Sequence, residues 1–382
     1  MSTASKHKAR TQNSVPWFWP VEFLSAVTQE EWKSFLRGVE TVTEAVKLDT
    51  GLTPTFATPN KVLLDLHTMR FRDFSPATVS DVEIPTIVDA PYAGHPSSIA
   101  DFSEGQSLVQ TLQAHGLKRV YVTDWKSATP DMKDYDIDNY LAELNVVVDQ
   151  VGGRVNLIGL CQGGWMSAMY AARFPDKVAS LVLAGSPIDT DAGHGSIRDM
   201  AHSLPMDEFH KLVELGGGFM RGRFMLAAWK NMHPDVQYFG KYVDLYEHID
   251  DPAYVRKSET FEAWYENPID LPGRWYLQAV EQLFKENRLA KGQFVGLGKK
   301  LSLKDIRCPV TLLAGESDDI TTKEQVFNAD KFLGTPSADI LKLLAPGGHI
   351  GLFMGSRTLR EFWPDITKWI VQKNTLLAPV RR

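Results

Sequence analysis

The stretch "RVNLIGLCQGGWMSAMYAARFPDKVASLVLAGSPID", residues 154–188, decides the fold. A run that is apolar but for Asn156 ends on Cys161, a helical pattern starts at once, and a second apolar run follows at "VASLVLAGSP". Two such runs joined by one helix are parallel strands with a crossover, the repeating unit of an α/β sheet. The turn between the first strand and the helix reads Gly159-Leu160-Cys161-Gln162-Gly163. This is the spacing of the nucleophile elbow, in which many hydrolases place a serine. The spacing has a mechanical cause. The central residue sits on a tight, strained turn, so the residues two positions away must lack bulk. The helix that begins beside it presents the positive end of its dipole, which favours a thiolate.

Outward from this stretch the alternation continues. "PTIVDAP" (85–91), "RVYVTDW" (119–125) and "VNLIGL" (155–160) read as strands. "SLVQTLQAHG" (107–116) and "DIDNYLAELNVVVDQVG" (136–152) read as the helices between them. From about 188 to 300 the pattern changes to helical segments rich in aromatics and methionine, without a convincing strand. Strands resume at "CPVTLLAG" (308–315) and "ADILKLLAP" (338–346), and a helix, "FWPDITKWIVQK", closes the chain. The economical reading is one mostly parallel sheet with helices on both faces, its halves at 81–187 and 301–382, interrupted by a helical lid at 188–300. Residues 1–15 read as a disordered tail and 16–80 as an N-terminal helical segment. Trp17, Phe18, Trp19 and Phe23 near its start read either as rings packed on the domain or as an apolar patch for a polymer or lipid surface.

Composition sets limits. The 382 residues carry a formal charge of −6, which argues against a general nucleic-acid binder. Only two cysteines are present, too few for a secreted disulfide framework, so a cytoplasmic location is expected. The longest apolar runs are too short to cross a bilayer, so no transmembrane segment is expected. No H-E-x-x-H, paired cysteine ligands or P-loop occurs, and neither metal nor cofactor is expected.

An elbow nucleophile needs an acid and then a base, in that chain order. "TLLAGESDDIT" supplies Asp318 and Asp319 after one strand, and "LLAPGGHIGLF" supplies His349 after the next. Strand ends are where an α/β sheet presents its functional loops. His349 would deprotonate Cys161, and an aspartate would hold the imidazole's tautomer. Asp318 is preferred because the first residue off a strand end points into the site; Asp319 would then cap the next turn or line the pocket. An oxyanion hole needs two backbone N–H donors. Gln162 is expected to give one and Tyr92, in "DAPYAGHPSS" (89–98), the other, with Ala93 as the near alternative. His95, Trp165 and Trp275 are further candidates for lining the substrate. Lid aromatics (Trp229, Trp264, Tyr265, Tyr276, Phe284) read as a shield over an acyl group or as ordinary helix packing. Cys308 begins a strand and reads as an inert thiol.

These residues carry a resemblance. "GLCQGGW" with "FPDKVASLVLAGSPID" resembles the box of polyhydroxyalkanoate synthases, cysteine-dependent enzymes of the α/β-hydrolase fold. "APYAGH", "VYVTDWKSA", "WYLQAVEQLFKENRLAKG" and "GESDDIT" look more like the intracellular polyhydroxybutyrate depolymerases. The resemblance spans roughly 85–370. Both families imply Cys161 as nucleophile, Asp318 as orienting acid and His349 as base. Synthases typically carry histidine where this chain has Asp319, and depolymerases carry proline where it has Gly163. Agreement across several separated segments tips the reading toward depolymerase: a thioester on Cys161, resolved by water. A synthase or synthase subunit is the alternative, followed by a small-molecule esterase or thioesterase, or an inactive granule-associated scaffold. The implied partners are a polyester granule or 3-hydroxyacyl ester, CoA for the synthase, and a second copy in a homodimer.

Overall fold

The structure is a computed structural model that describes residues 53–80, 83–232 and 251–377. The expected tail, and the N-terminal helix with its aromatic cluster, lie outside the described residues. Eight strands form one sheet: β1 (Lys61–Asp65), β2 (Met69–Asp73), β3 (Thr86–Asp89), β4 (Val120–Trp125), β5 (Val155–Leu160), β6 (Val178–Ala184), β7 (Val310–Gly315) and β8 (Ile340–Ala345). Their spatial order is β1-β2-β4-β3-β5-β6-β7-β8. From β4 to β8 every pairing is parallel, while β1 and β2 add antiparallel strands at one edge.

That edge corrects the sequence reading, which took 16–80 as helical. In β2 the residues alternate: Met69 and Phe71 are fully buried, whereas Arg70 faces solvent. This two-residue period is that of a half-buried strand. The charged residues between them obscure the apolar signal. Arg72 is satisfied by Asp124 on the neighbouring strand at 2.7 Å.

The central strands β5, β6 and β7 are buried along their whole length. Helices on both faces produce such continuous burial, which explains their near-uniform apolar sequence. The polar side chains of β5 and β6 pair, whereas the Thr311 hydroxyl of β7 has no hydrogen-bond partner among the described residues. Ser180 donates to Asn156 at 2.9 Å, and Asn156 donates to Thr86 at 3.2 Å, a chain that runs across β6, β5 and β3. Unpaired, each buried polar group would cost about 1–3 kcal/mol.

The crossover helices are α1 (Leu108–Ala114), α2 (Ile137–Gln150) and α3 (Gln162–Arg173). Ser107 caps α1 by accepting from the Gln110 N–H. Asp136 and Asn139 form a reciprocal capping box on α2, which satisfies backbone donors that a helix start leaves open. Helix α3 is buried from Gly163 to Ala172 and packs on β5 and β6.

The lid contains α4 (Ser196–Ser203), α5 (Met206–Leu215), α6 (Gly222–Met232), α7 (Pro252–Tyr265) and α8 (Gly273–Gln278), and α8 runs directly into a π-helical turn, Ala279–Lys285. Two-residue strands at Phe219–Met220, Leu271–Pro272, Val295–Gly296 and Lys299–Lys300 also occur there; they are too short to leave a pattern in the sequence. Asp270 fastens the lid: its carboxylate accepts from Arg221 and the Gly222 N–H, both at 2.8 Å, and its carbonyl accepts from the Ala128 N–H at 2.9 Å. The closing helix α9 spans Trp363–Leu377. Among the described residues no helix is long and apolar enough to cross a membrane.

Candidate active site

The carboxyl ends of β3, β5, β7 and β8 meet under the lid, and a cavity of about 160 Å³ opens there. Cys161 follows β5 directly, at φ 51° and ψ −115°, a left-handed backbone that costs a non-glycine residue about 1–3 kcal/mol. The fold holds it there from both sides. The Cys161 N–H donates to the Ala184 carbonyl, and the Gly164 N–H donates to the Cys161 carbonyl, both at 2.9 Å. The flanking glycines are required by close approach. A Cβ on Gly159 would come within 2.4 Å of the Gly164 Cα, and one on Gly163 within 2.1 Å of the Asp89 carbonyl oxygen. The G-x-C-x-G pattern thus records how tightly the turn is pressed against its own helix and against the end of β3.

Asp318 lies in the turn after β7 and is buried. Its Oδ1 accepts from the backbone N–H groups of Ile320 (3.0 Å) and Thr321 (2.9 Å), and its Oδ2 accepts from His349 Nδ1 at 2.7 Å. Both carboxylate oxygens are occupied, so the side chain has one orientation. His349, after β8, is also buried and packs edge-on against Phe353. Burial works against its cationic form, yet the charges of Asp318 and Cys161 outweigh burial and hold the imidazole well above its ordinary value. Nε2 makes no hydrogen bond of ordinary geometry among the described residues, and Cys161 is the neighbour, besides Asp318, that favours its protonation. Cys161 and His349 share the cavity wall. Such a thiol and a carboxylate-oriented imidazole can open an ester or thioester by nucleophilic attack.

The structure separates the remaining candidates. Gln162, His95 and Ala93 lie on the cavity wall. Tyr92 does not: its ring is fully buried, and its hydroxyl accepts from Tyr140 at 2.8 Å and donates to the Asp270 carbonyl. Pro91, Ala93, His95 and Pro96 of the same loop line the cavity around it. Trp165 and Trp275, expected to line the substrate, are corrected. Both are buried and tilt against each other, with ring centroids 5.6 Å apart. Tyr92 and Tyr140 also pack on Trp275, so these rings join lid to core. Asp319 is absent from the wall as well; its carbonyl accepts from the Ser196 N–H (2.9 Å) and Oγ (2.7 Å), which ties the start of α4 to this turn.

Of the lid aromatics, Trp229, Trp264, Tyr265 and Phe284 reach the cavity; Trp275 and Tyr276 do not. Phe284 belongs to the π-helical turn, and Thr190 Oγ donates to the neighbouring Leu283 carbonyl. Such turns recur at functional sites because they redirect a side chain. Sequence reading missed Ile197, Ile320, Ile350 and Phe353 on the wall. The first leaves no signal in a helix, whereas the other three lie within four residues of Asp318 or His349. Beneath the elbow, the Asp89 carboxyl is fully buried and accepts from Ser167 at 2.9 Å and Thr123 at 3.3 Å. Burial pushes it up to about 8 despite those bonds. Cys308 is half-buried at the far end of the sheet, and burial pushes its thiol up to about 12. Among the described residues no group of three or more His, Cys, Asp or Glu side chains is placed to hold a metal ion.

Relatives and neighbours agree with this architecture. The chain is 28% identical over 326 residues to a Haloferax mediterranei protein named poly(3-hydroxyalkanoate) polymerase subunit PhaC, covering 83% of this chain and 64% of that one. It is 28% identical over 347 residues to the Allochromatium vinosum protein of the same name, covering 88% of this chain and 94% of that one. Among solved structures, the Paleococcus ferrophilus monoacylglycerol lipase superposes with a TM-score of 0.51 at 17% identity, over 80% of this chain and 99% of the lipase. The fold is that of the α/β hydrolases. A family model described as "Protein of unknown function (DUF3141)" matches residues 64–342, and the chain belongs to that family.

Proposed function

We propose that this chain is an acyltransferase that builds hydroxyalkanoate polyester through a thioester on Cys161. The observation that carries the proposal is a cysteine, held at a strained elbow, sharing an apolar cavity with an imidazole that Asp318 orients. The names of the relatives favour polymerisation over the depolymerisation to which the sequence motifs leaned. In the proposed reaction the Cys161 thiolate attacks the carbonyl carbon of a 3-hydroxyacyl-CoA. Backbone N–H groups of Gln162 and Ala93 would hold the oxyanion. Collapse expels the CoA thiolate, which takes the proton carried by His349. His349 then removes a proton from the hydroxyl of a chain end, and that oxygen attacks the acyl-enzyme and displaces Cys161. Asp318 keeps Nδ1 protonated, so that Nε2 does the proton transfer.

Hydrolysis is the second reading, and a specific observation favours it. Asp319 stands where the synthases carry histidine, in a "GESDDIT" segment that resembles the depolymerases. The two differ only in the acceptor, a hydroxyl or water. The test supplies the protein separately with 3-hydroxybutyryl-CoA and with amorphous polyester granules. CoA release with polymer growth supports the acyltransferase. Acid released from granules, with no CoA released from the thioester, overturns it in favour of hydrolysis.

A further inference from the structure

The cavity wall is almost wholly apolar, yet four of its residues carry a buried polar atom with no hydrogen-bond partner among the described residues: His95 Nε2, Gln162 Oε1, Trp229 Nε1 and His349 Nε2. An unsatisfied buried polar group is costly, and four around one small cavity are not explained by packing. The proposed chemistry uses His349. His95 has no role in it.

His95 follows the loop after β3 and stacks against Trp264 and Tyr265 of α7, with ring centroids 4.7 and 5.0 Å away. Its protonation can be worked out. Burial drives its pKa down to about 4, against a backbone hydrogen bond to Tyr265 that favours the cation and in the same sense as the charge of Lys230. The ring is therefore neutral at physiological pH. Because Nε2 is unpartnered, Nδ1 is the nitrogen that bonds the Tyr265 backbone, as donor to its carbonyl. A neutral imidazole that donates through one nitrogen offers only a lone pair on the other. His95 Nε2 is thus an acceptor awaiting a donor. Trp229 supplies the complement, since an indole N–H can only donate. A plain acyl chain carries no donor for His95, whereas a hydroxyacyl chain carries one.

We propose that His95 Nε2 accepts the hydroxyl of the bound acyl group and so makes the site selective for hydroxyacyl over plain acyl substrates. This rests on the reading of Cys161 as the acylated residue, and the test separates the two. Single-turnover acylation is followed with 3-hydroxybutyryl-CoA and with butyryl-CoA, in the wild type and in His95→Phe, which keeps a ring to stack on α7. The wild type is expected to favour the hydroxyacyl ester by about tenfold or more, because the plain ester leaves a buried acceptor unpaired. His95→Phe loses most of that preference, read as the ratio of the two acylation rates on one preparation, while a thermal midpoint near that of the wild type reports an intact fold. His95→Gln retains an acceptor and recovers part of the preference. The same preference in wild type and His95→Phe, or none in the wild type, overturns the proposal. A binding arm uses Cys161→Ala with methyl 3-hydroxybutyrate and methyl butyrate, read from the His95 imidazole nitrogen resonance. If neither thioester acylates the protein but only the hydroxy ester moves that resonance, the function falls and the His95 assignment stands. If acylation proceeds with both and neither ratio nor resonance distinguishes them, the assignment falls alone. If nothing binds or acylates, both fall.

Discussion

His349 Nδ1 donates to Asp318 Oδ2 at 2.7 Å, and the other oxygen of that carboxylate is held by two backbone N–H groups. The histidine's orientation is thereby set by the turn after β7, not by the histidine's own loop. Asp318→Asn keeps much of the turn but removes the charge, and it can present an amide to Nδ1 and select the wrong tautomer. A loss of roughly 10²–10⁴-fold in acylation rate is expected, measured with 3-hydroxybutyryl-CoA as acyl donor.

The same pair gives a sign for the pH dependence of stability. His349 lies well above its ordinary value in the folded protein, so the folded state holds this proton more tightly than the unfolded state does. That contribution is fully present below the ordinary histidine pKa of about 6.5 and is lost as pH rises through the raised value. Denaturant midpoints for wild type and Asp318→Asn should therefore differ most below neutrality and converge on the alkaline side. A gap that widens as pH rises would contradict the assignment.

Asp89 gives an independent pH effect at another point of the site. It stays protonated in the folded protein up to about 8 because it is buried beneath the elbow. The unfolded chain ionises it near the usual carboxyl value, so wild-type stability declines between that value and about 8. Asp89→Asn keeps a group able to bond Ser167 and Thr123 and cannot ionise. The variant should gain on the wild type steadily across this window, as read from thermal midpoints at several pH values.

Gly163→Ala places a methyl group 2.1 Å from the Asp89 carbonyl oxygen. Neither backbone can retreat without opening the junction of β3 with α3. A destabilisation of about 1–3 kcal/mol is expected, together with a loss of acylation larger than the loss of stability explains, because the elbow shifts. Urea denaturation and single-turnover rates on the same preparation separate the two effects.

Trp275→Ala removes the ring on which Tyr92, Tyr140 and Trp165 converge. As a fully buried large-to-small change it should cost about 3–5 kcal/mol. Because this ring joins lid to core and does not face the cavity, Trp275→Phe should restore most of the stability and leave acyl selectivity unchanged. A selectivity change in Trp275→Phe would return the residue to the substrate wall.

How much of this was legible in the sequence depended on which force wrote each residue. The parallel strands are buried on both faces, so Val155–Leu160, Val178–Ala184 and Val310–Gly315 announce themselves as apolar runs. The edge strands β1 and β2 do not, since solvent permits Lys61, Arg70 and Arg72 on them. Cys161, Asp318 and His349 stand out as candidates because strand ends and chain order constrain them, and the fold brings Asp318 and His349 together and places Cys161 and His349 on one cavity wall. Trp165 and Trp275 do not line the substrate as the sequence suggests, because an aromatic near a nucleophile reads the same whether it faces substrate or the lid. Only the fold decides, and here it packs both into one cluster with the Tyr92 ring. Asp318 and Asp319 were adjacent choices in the sequence; the carboxylate that meets His349 is that of Asp318.

The central claim, that Cys161 carries the acyl group, is tested most directly by mass analysis of the protein after brief exposure to 3-hydroxybutyryl-CoA. The account predicts one added 3-hydroxybutyryl group, located to the peptide containing Cys161, with an equivalent of CoA released and neither event in Cys161→Ala. An unmodified Cys161 while CoA is released at the wild-type rate, or an acyl group found on another residue, would contradict it.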